Sequence, residues 1–122
     1  MRTVLEILII CFVFMASSCS KEEDENHVDF YDLNQRIGYW INSEREDTLY
    51  FVNDTELKRF FNGEEDYLYR IDENYLYVRT PISLIETTHE IMDNTEDKVM
   101  IGNMYRGYEQ TINYGIYQKL NN

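Results

Sequence analysis

The chain has 122 residues, and its 11 Lys and Arg stand against 23 Asp and Glu, for a formal net charge of −12. This acidity repels phosphate backbones and no basic stripe offsets it, so nucleic acid is disfavoured as a partner. The length allows one domain. Both cysteines, Cys11 and Cys19, lie near the N-terminus, and we expect no disulfide in the domain.

The first 18 residues have the pattern of a secretory signal. A positively charged start precedes the apolar run 7–15, and the small residues 16–18 follow. A membrane-spanning helix needs about 20 apolar residues, so this run is too short to be one. We therefore expect residues 1–18 to be a signal peptide that is removed.

Cys19 comes directly after these small residues, and the junction resembles the lipobox of bacterial lipoproteins. The resemblance implies that the Cys19 thiol carries a diacylglycerol and that its new amine is acylated after cleavage. It makes Cys19 the lipidation site and the membrane a partner through an N-terminal lipid.

An acidic run follows the cysteine: Ser20, Lys21, Glu22, Glu23, Asp24 and Glu25. It resembles the export signal that sends some Gram-negative lipoproteins to the outer face of the outer membrane. The expected location is therefore the cell envelope, lipid-anchored in the outer membrane and exposed at the surface. The alternative is that the run is only a solvated tether between bilayer and domain.

From residue 37 onward, short aromatic and β-branched runs alternate with Asn, Asp and Gly, which predicts strands. We expect eight, at Ile37 to Asn42, Thr48 to Val52, Glu56 to Phe61, Tyr67 to Ile71, Tyr75 to Arg79, Thr87 to Met92, Lys98 to Tyr105 and Ile112 to Lys119. Turns at Asn53-Asp54, Asn62-Gly63 and Asp93-Asn94 are too short for parallel crossovers, and Pro81 suits a loop. The predicted fold is all-β, an antiparallel meander that closes into a small barrel or half-barrel. Residues 19–36 are then the lipidated cysteine and tether, with residues 26–36 passing into a loop or one helical turn, and residues 37–122 are the β domain.

The sequence Gly38-Tyr39-Trp40 resembles the Gly-x-Trp signature at the start of lipocalin-type barrels. The resemblance implies a small lipocalin-like barrel whose base is closed by Trp40. Lipocalins place an Arg of the last strand over this Trp, and here Lys119 is the available cation. A family of uncharacterised gut-bacterial lipoproteins contains short segments similar to residues 47–51, 69–71 and 102–105 of this chain.

Strand alternation divides the side chains between two faces. The more apolar set, expected inward, is Trp40, Leu49, Phe51, Leu57, Tyr67, Tyr69, Ile71, Leu76, Val78, His89, Ile91, Val99, Ile101 and Ile116. Eight strands enclose an interior that side chains fill or that holds one small ligand, and both outcomes stay open. If a cavity exists, we expect Trp40, Tyr67, Tyr69 and His89 to line it. Each buried Tyr hydroxyl has the alternative of bonding only a carbonyl or water.

The same alternation places Arg70, Tyr75, Tyr77 and Arg79 together on the outer face. Aromatic rings beside guanidinium groups are typical of binding hot spots, so this set is a candidate binding face for a glycan or protein. The alternative is cross-strand pairing that only stabilises an exposed sheet.

The sequence carries no recognised catalytic motif, cofactor loop or metal-binding motif. His89 and Glu90 point to opposite faces of a strand and cannot converge on one ion, so His89 is expected in the core. We expect the acidic groups 64–66 and 93–97 to be solvated turns. The sequence therefore predicts a non-catalytic module that binds a small ligand, a glycan or an envelope protein, without a cofactor. The alternative is a structural or accessory subunit of an envelope assembly, with a packed barrel.

Overall fold

The computed structural model describes residues 27–105 and 113–121. The expected signal peptide, Cys19 and the acidic run lie outside the described residues. The elements are α1 (Leu33–Arg36), β1 (Gly38–Asn42), β2 (Asp47–Phe51), β3 (Glu56–Phe60), β4 (Glu64–Asp72), β5 (Tyr75–Arg79), β6 (Thr87–Thr95), β7 (Lys98–Ile101) and β8 (Gly115–Lys119). Within these residues no helix has the length and apolar character needed to cross a membrane.

The eight strands form a closed antiparallel barrel in chain order, and β8 pairs with β1. This confirms the predicted all-β meander and its closure. Residues 28–37 pack at one end of the barrel, called here the closed end. The connections after β1, β3, β5 and β7 lie at the opposite end, called the far end.

The strand positions agree with the prediction, but several limits differ. β4 starts at Glu64 and β6 continues to Thr95, so the acidic residues expected in turns belong largely to strands. The predicted turn at Asp93-Asn94 is wrong, and the reversal falls at residues 96–97, where Glu96 has a φ of 52°. β6 extends to Thr95 because Asp93, Asn94 and Thr95 pair with Met100, Val99 and Lys98 of β7. The Asn94 amide also accepts a bond from Phe30 N at 2.8 Å and donates to Val28 O at 3.0 Å. The structure ends β7 at Ile101 and begins β8 at Gly115, inside the predicted limits.

The interior contains the predicted inward residues with one exception. Ile116 is wrong, because its side chain is 46% exposed while that of Tyr117 is 0% exposed. Val99 faces inward and pairs with Tyr117, which sets the face of β8. A Cβ at Gly115 would lie 2.7 Å from the Tyr117 ring, so glycine gives this large side chain its space.

The closed end is a packed cluster built by residues that the sequence assigned to the tether. Phe30 is fully buried and makes an edge-on contact with Trp40 at 5.2 Å between ring centroids. Arg36, at the end of α1, donates to Phe30 O and to the Tyr69 hydroxyl, both at 3.0 Å. The Trp40 indole N–H donates to Arg36 O at 2.8 Å. The domain therefore includes residues 28–36, ahead of the boundary expected at residue 37.

Lys119 completes the closed end from the last strand. Its Nζ lies 5.4 Å from the centroid of the Trp40 ring and donates to the carbonyl oxygens of Arg36 and Ile37. Gly38 has a φ of 125°, and a Cβ there would lie 2.8 Å from Lys119 Nζ. Only glycine accommodates both this backbone conformation and the lysine. Trp40 thus lies beneath Lys119 at the base of the barrel, where lipocalins have an Arg.

Candidate functional site

A cavity of about 350 Å³ occupies the part of the barrel beyond this packed cluster. Leu49 of β2, Leu57 of β3 and Leu76 and Val78 of β5 supply its apolar wall, and Met104 adds a side chain from the connection after β7. Its volume lies at the lower limit of small-molecule sites, which start at about 300 Å³. The interior is therefore large enough for one small ligand.

The polar groups of the cavity wall come from different strands. They belong to Arg59, Tyr67, Thr87, His89 and Asn103. The Thr87 hydroxyl lies 2.8 Å from His89 Nε2, and Gly102 O lies 3.1 Å from His89 Nδ1. These contacts fix the imidazole against the wall, with its polar atoms already engaged.

Tyr67 lies on the same wall and donates its hydroxyl hydrogen to Glu65. Burial, together with this carboxylate, raises the pKa of Tyr67 to about 12. The phenol therefore stays neutral at physiological pH, and with its hydrogen donated to Glu65 its oxygen can still accept a bond beside the cavity.

A buried polar cluster around Asp47 lies beside the cavity. The Asp47 side chain is fully buried and receives Arg59 Nε at 3.0 Å and Arg59 Nη2 at 2.8 Å. The hydroxyls of Tyr117 and Tyr105 donate to Asp47 Oδ2 at 2.5 Å and 2.8 Å. Asn42 donates to the Tyr105 hydroxyl at 2.8 Å. The cluster holds the Arg59 guanidinium at the cavity wall with its charge balanced by Asp47.

The four residues expected to line a cavity separate into two pairs. Tyr67 and His89 lie in the cavity wall. Trp40 and Tyr69 instead belong to the closed end, where the Tyr69 hydroxyl donates to Asn53 O at 2.6 Å. The sequence did not single out Asp47 or Arg59, because nothing in the pattern of a strand marks a carboxylate whose partners are distant in the chain.

The outer-face residues do lie together on β4 and β5, but they mainly contact one another. Arg70 pairs across the strands with Tyr77, and its guanidinium carbon lies 3.9 Å from the centroid of that ring. Arg70 also donates twice to Glu86, each bond 3.0 Å long, and Arg79 donates to Ser83 O at 3.1 Å. Tyr75 is 37% exposed. This geometry favours mutual stabilisation of the face.

Across residues 27–105 and 113–121, no group of three or more His, Cys, Asp or Glu side chains is placed to hold a metal ion. The outward side of β6 carries Glu90, whereas His89 is buried. The two side chains therefore do not meet.

The fold and cavity define the class of the protein as a small, eight-stranded antiparallel β-barrel domain. Comparisons with protein-family models, with curated proteins and with solved structures found no match for the chain.

Proposed function

We propose that this protein is a non-catalytic, lipid-anchored lipoprotein of the bacterial cell envelope whose barrel binds a small amphipathic molecule. The observation that carries the proposal is the cavity of about 350 Å³ with its apolar wall and polar groups. An apolar wall with a few fixed hydrogen-bonding groups is the usual composition of a small-molecule site. A cavity of this size argues against a packed interior and so favours ligand binding over a purely structural subunit.

The cavity wall indicates the chemistry of the ligand. Leu49, Leu57 and Leu76 line the cavity and suit an aliphatic or aromatic body, because the apolar surface of the ligand would leave water on binding. The hydroxyl oxygens of Thr87 and Tyr67 can accept a bond from one polar group, since their hydrogens are already donated to Val78 O and to Glu65. Arg59 is already balanced by Asp47, so a neutral head group needs no further charge compensation.

The lipocalin-like assignment is supported by the closed end. Trp40 lies at the base, and Lys119 of the last strand lies over its ring, where lipocalins have an Arg. The lipid anchor at Cys19 and surface display through residues 20–25 are supported by the sequence patterns.

Thermal unfolding with a ligand panel tests the binding proposal. The panel contains medium-chain fatty alcohols, fatty acids and small phenols, with monosaccharides as polar comparators. A ligand at about 100 times its Kd stabilises the protein by about 2.7 kcal/mol.

Thr87→Phe places a ring in the cavity and should abolish the shift, whereas Thr88→Phe, on the exposed outer side of β6, should keep it. If Thr87→Phe lowers stability too far for the comparison, Thr87→Val takes its place, since it removes the hydroxyl while nearly keeping the volume of the side chain. An equal ligand shift in all variants would place binding outside the cavity.

The anchor is tested with Cys19→Ser in the native host. Cys19 is the expected acceptor of lipid, so the variant should leave the membrane fraction or accumulate uncleaved, and mass spectrometry should find no acyl chain. A cleaved variant that remains in the membrane fraction would refute the anchor. Replacement of residues 21–25 by neutral residues should protect the domain from protease added to intact cells, and unchanged digestion would assign the run to a tether.

A further inference from the structure

The connection between β5 and β6 exposes three aliphatic side chains almost completely. Ile82 is 98% exposed, Leu84 is 96% and Ile85 is 79%, whereas the other exposed large hydrophobic side chains of the described residues lie between 36% and 48%. Residues 80–86 are called here the aliphatic loop. Scattered apolar side chains on a surface are ordinary, but three within four residues at this exposure form a patch.

The aliphatic loop holds this shape through its own polar groups. Ser83 N donates to Thr80 O at 3.1 Å, and the Ser83 hydroxyl accepts a bond from Ile85 N at 3.1 Å. Arg79 binds Ser83 O on one flank, and Arg70 holds Glu86 on the other. These bonds satisfy part of the polar groups of the loop, which lowers the polar cost when its aliphatic side chains enter an apolar phase.

We propose that the aliphatic loop docks onto a lipid bilayer and brings the cavity to the lipid surface, which serves as the source of its ligand. Residues 80–85 carry no charge, in a chain in which 28% of residues are charged. An uncharged aliphatic segment suits the interior of a bilayer, where charges are expensive. The loop also joins Val78 to Thr87, which pair with each other and both line the cavity.

The bilayer is chosen as the occupant because the proposed anchor keeps one within reach, and the inference rests on that part of the proposed function. Cys19 precedes Val28 by nine residues, which span up to about 30 Å when extended. Val28 is bound at the closed end, where its N–H donates to Glu96 O. The five residues of β5 run from the closed end to the far end and cover about 17 Å. The extended tether is longer than this distance, so the far end can touch the bilayer that holds the anchor. Tethering raises the local concentration of lipid, which makes a small aliphatic contact sufficient.

Quenching by brominated lipid tests the contact in the full protein purified from membranes. Leu84→Trp introduces an indole in the aliphatic loop, and the protein is reconstituted in phosphatidylcholine vesicles whose acyl chains carry bromine. We expect the introduced indole to lose most of its fluorescence, while Trp40, fully buried at the closed end, keeps its own. Met92→Trp is the matched control: Met92 is 48% exposed on the outer side of β6, and an indole there should remain bright. Adding Ile82→Ser and Ile85→Ser to Leu84→Trp should reduce quenching at least about threefold, since each aliphatic side chain favours transfer from water.

Equal fluorescence in brominated and unbrominated vesicles would overturn the proposal. A blue-shifted but unquenched indole would also overturn the proposal, because it would place the loop against a protein surface or a second copy of the chain. Sedimentation velocity would distinguish these two cases. Mass spectrometry of Cys19 on the same sample measures the anchor independently. An acylated protein with an unquenched loop refutes this inference alone, whereas a protein without an acyl chain refutes the anchor.

Discussion

Asp47 is the residue on which the far half of the barrel depends most directly. Its two carboxylate oxygens receive both Arg59 nitrogens and two tyrosine hydroxyls. The side chain is 0% exposed, so the carboxylate lacks water as a substitute partner. A buried charge that keeps its partners is tolerated, whereas one that loses them is costly.

Asp47→Asn should therefore lower the free energy of unfolding by about 3 kcal/mol, because it leaves the Arg59 charge without its counter-ion. Urea unfolding followed by circular dichroism measures the change. The double variant Asp47→Asn with Arg59→Leu removes both charges and should recover part of the loss. A double variant whose loss is the sum of the two single losses would show that the pair is not coupled.

At the scale of elements, alternation along a strand made most faces predictable. Leu76 and Val78 are clearly apolar and alternate with tyrosines, so the face of β5 follows from local residues alone. In β8 the same rule preferred Ile116 over Tyr117. The error arises because the hydroxyl of Tyr117 is satisfied by Asp47, a residue 70 positions away. By hydrophobicity alone, Ile116 is the better core residue of an isolated strand. Such a ranking cannot include the hydrogen bond that Tyr117 makes with the distant Asp47.

Residues outside the strands were harder to predict for the same reason. Phe30 belongs to the core because the Asn94 amide of β6 binds the backbone beside it. The acidic composition around residue 30 locally favours a tether. The cavity was likewise only an open alternative, since its volume depends on how side chains from several strands fill one space. Tyr67 and His89 could be named as candidates from their inward register, but the role of Arg59 required the position of Asp47.

The pairing of β4 with β5 distinguishes the two outer tyrosines. The ring of Tyr77 is half-buried beneath Arg70, whereas Tyr75 is more exposed. Tyr77→Ser should lower the free energy of unfolding by about 1 kcal/mol through lost apolar contact, and Tyr75→Ser should have a clearly smaller effect. Urea midpoints of the two variants, measured side by side, test the asymmetry. Equal losses of unfolding free energy in the two variants would contradict mutual stabilisation by this pairing. A variant that no longer binds a partner but keeps its stability would instead support the outer face as a binding face.

On the scale of the whole molecule, the barrel buries several tyrosines that belong to different strands. Burial raises the pKa of Tyr69 and of Tyr105, and burial together with Asp47 raises that of Tyr117 well above its usual range. The Tyr69 hydroxyl donates to Asn53 O at the closed end, and the hydroxyls of Tyr105 and Tyr117 donate to Asp47, so these bonds need neutral hydroxyls. Their ionisation is therefore coupled to the integrity of the whole barrel.

The barrel should lose stability as the pH rises from about 10 towards about 12, the interval between the ordinary pKa of a tyrosine and that of folded Tyr67. In this interval the unfolded chain has released phenolic protons that the folded protein still holds, so the free energy of unfolding falls with pH. Lys119 shifts in the opposite direction, because burial lowers its pKa, and its opposing contribution ends as the lysine of the unfolded chain loses its proton above the ordinary pKa of 10.5. Urea unfolding across this range, with tyrosinate absorbance recorded in parallel, measures the slope. Tyr67→Phe removes one of the coupled groups and should make the fall of the free energy of unfolding with pH shallower. A free energy of unfolding that stays level up to pH 12 would show that the fold does not hold the phenols neutral.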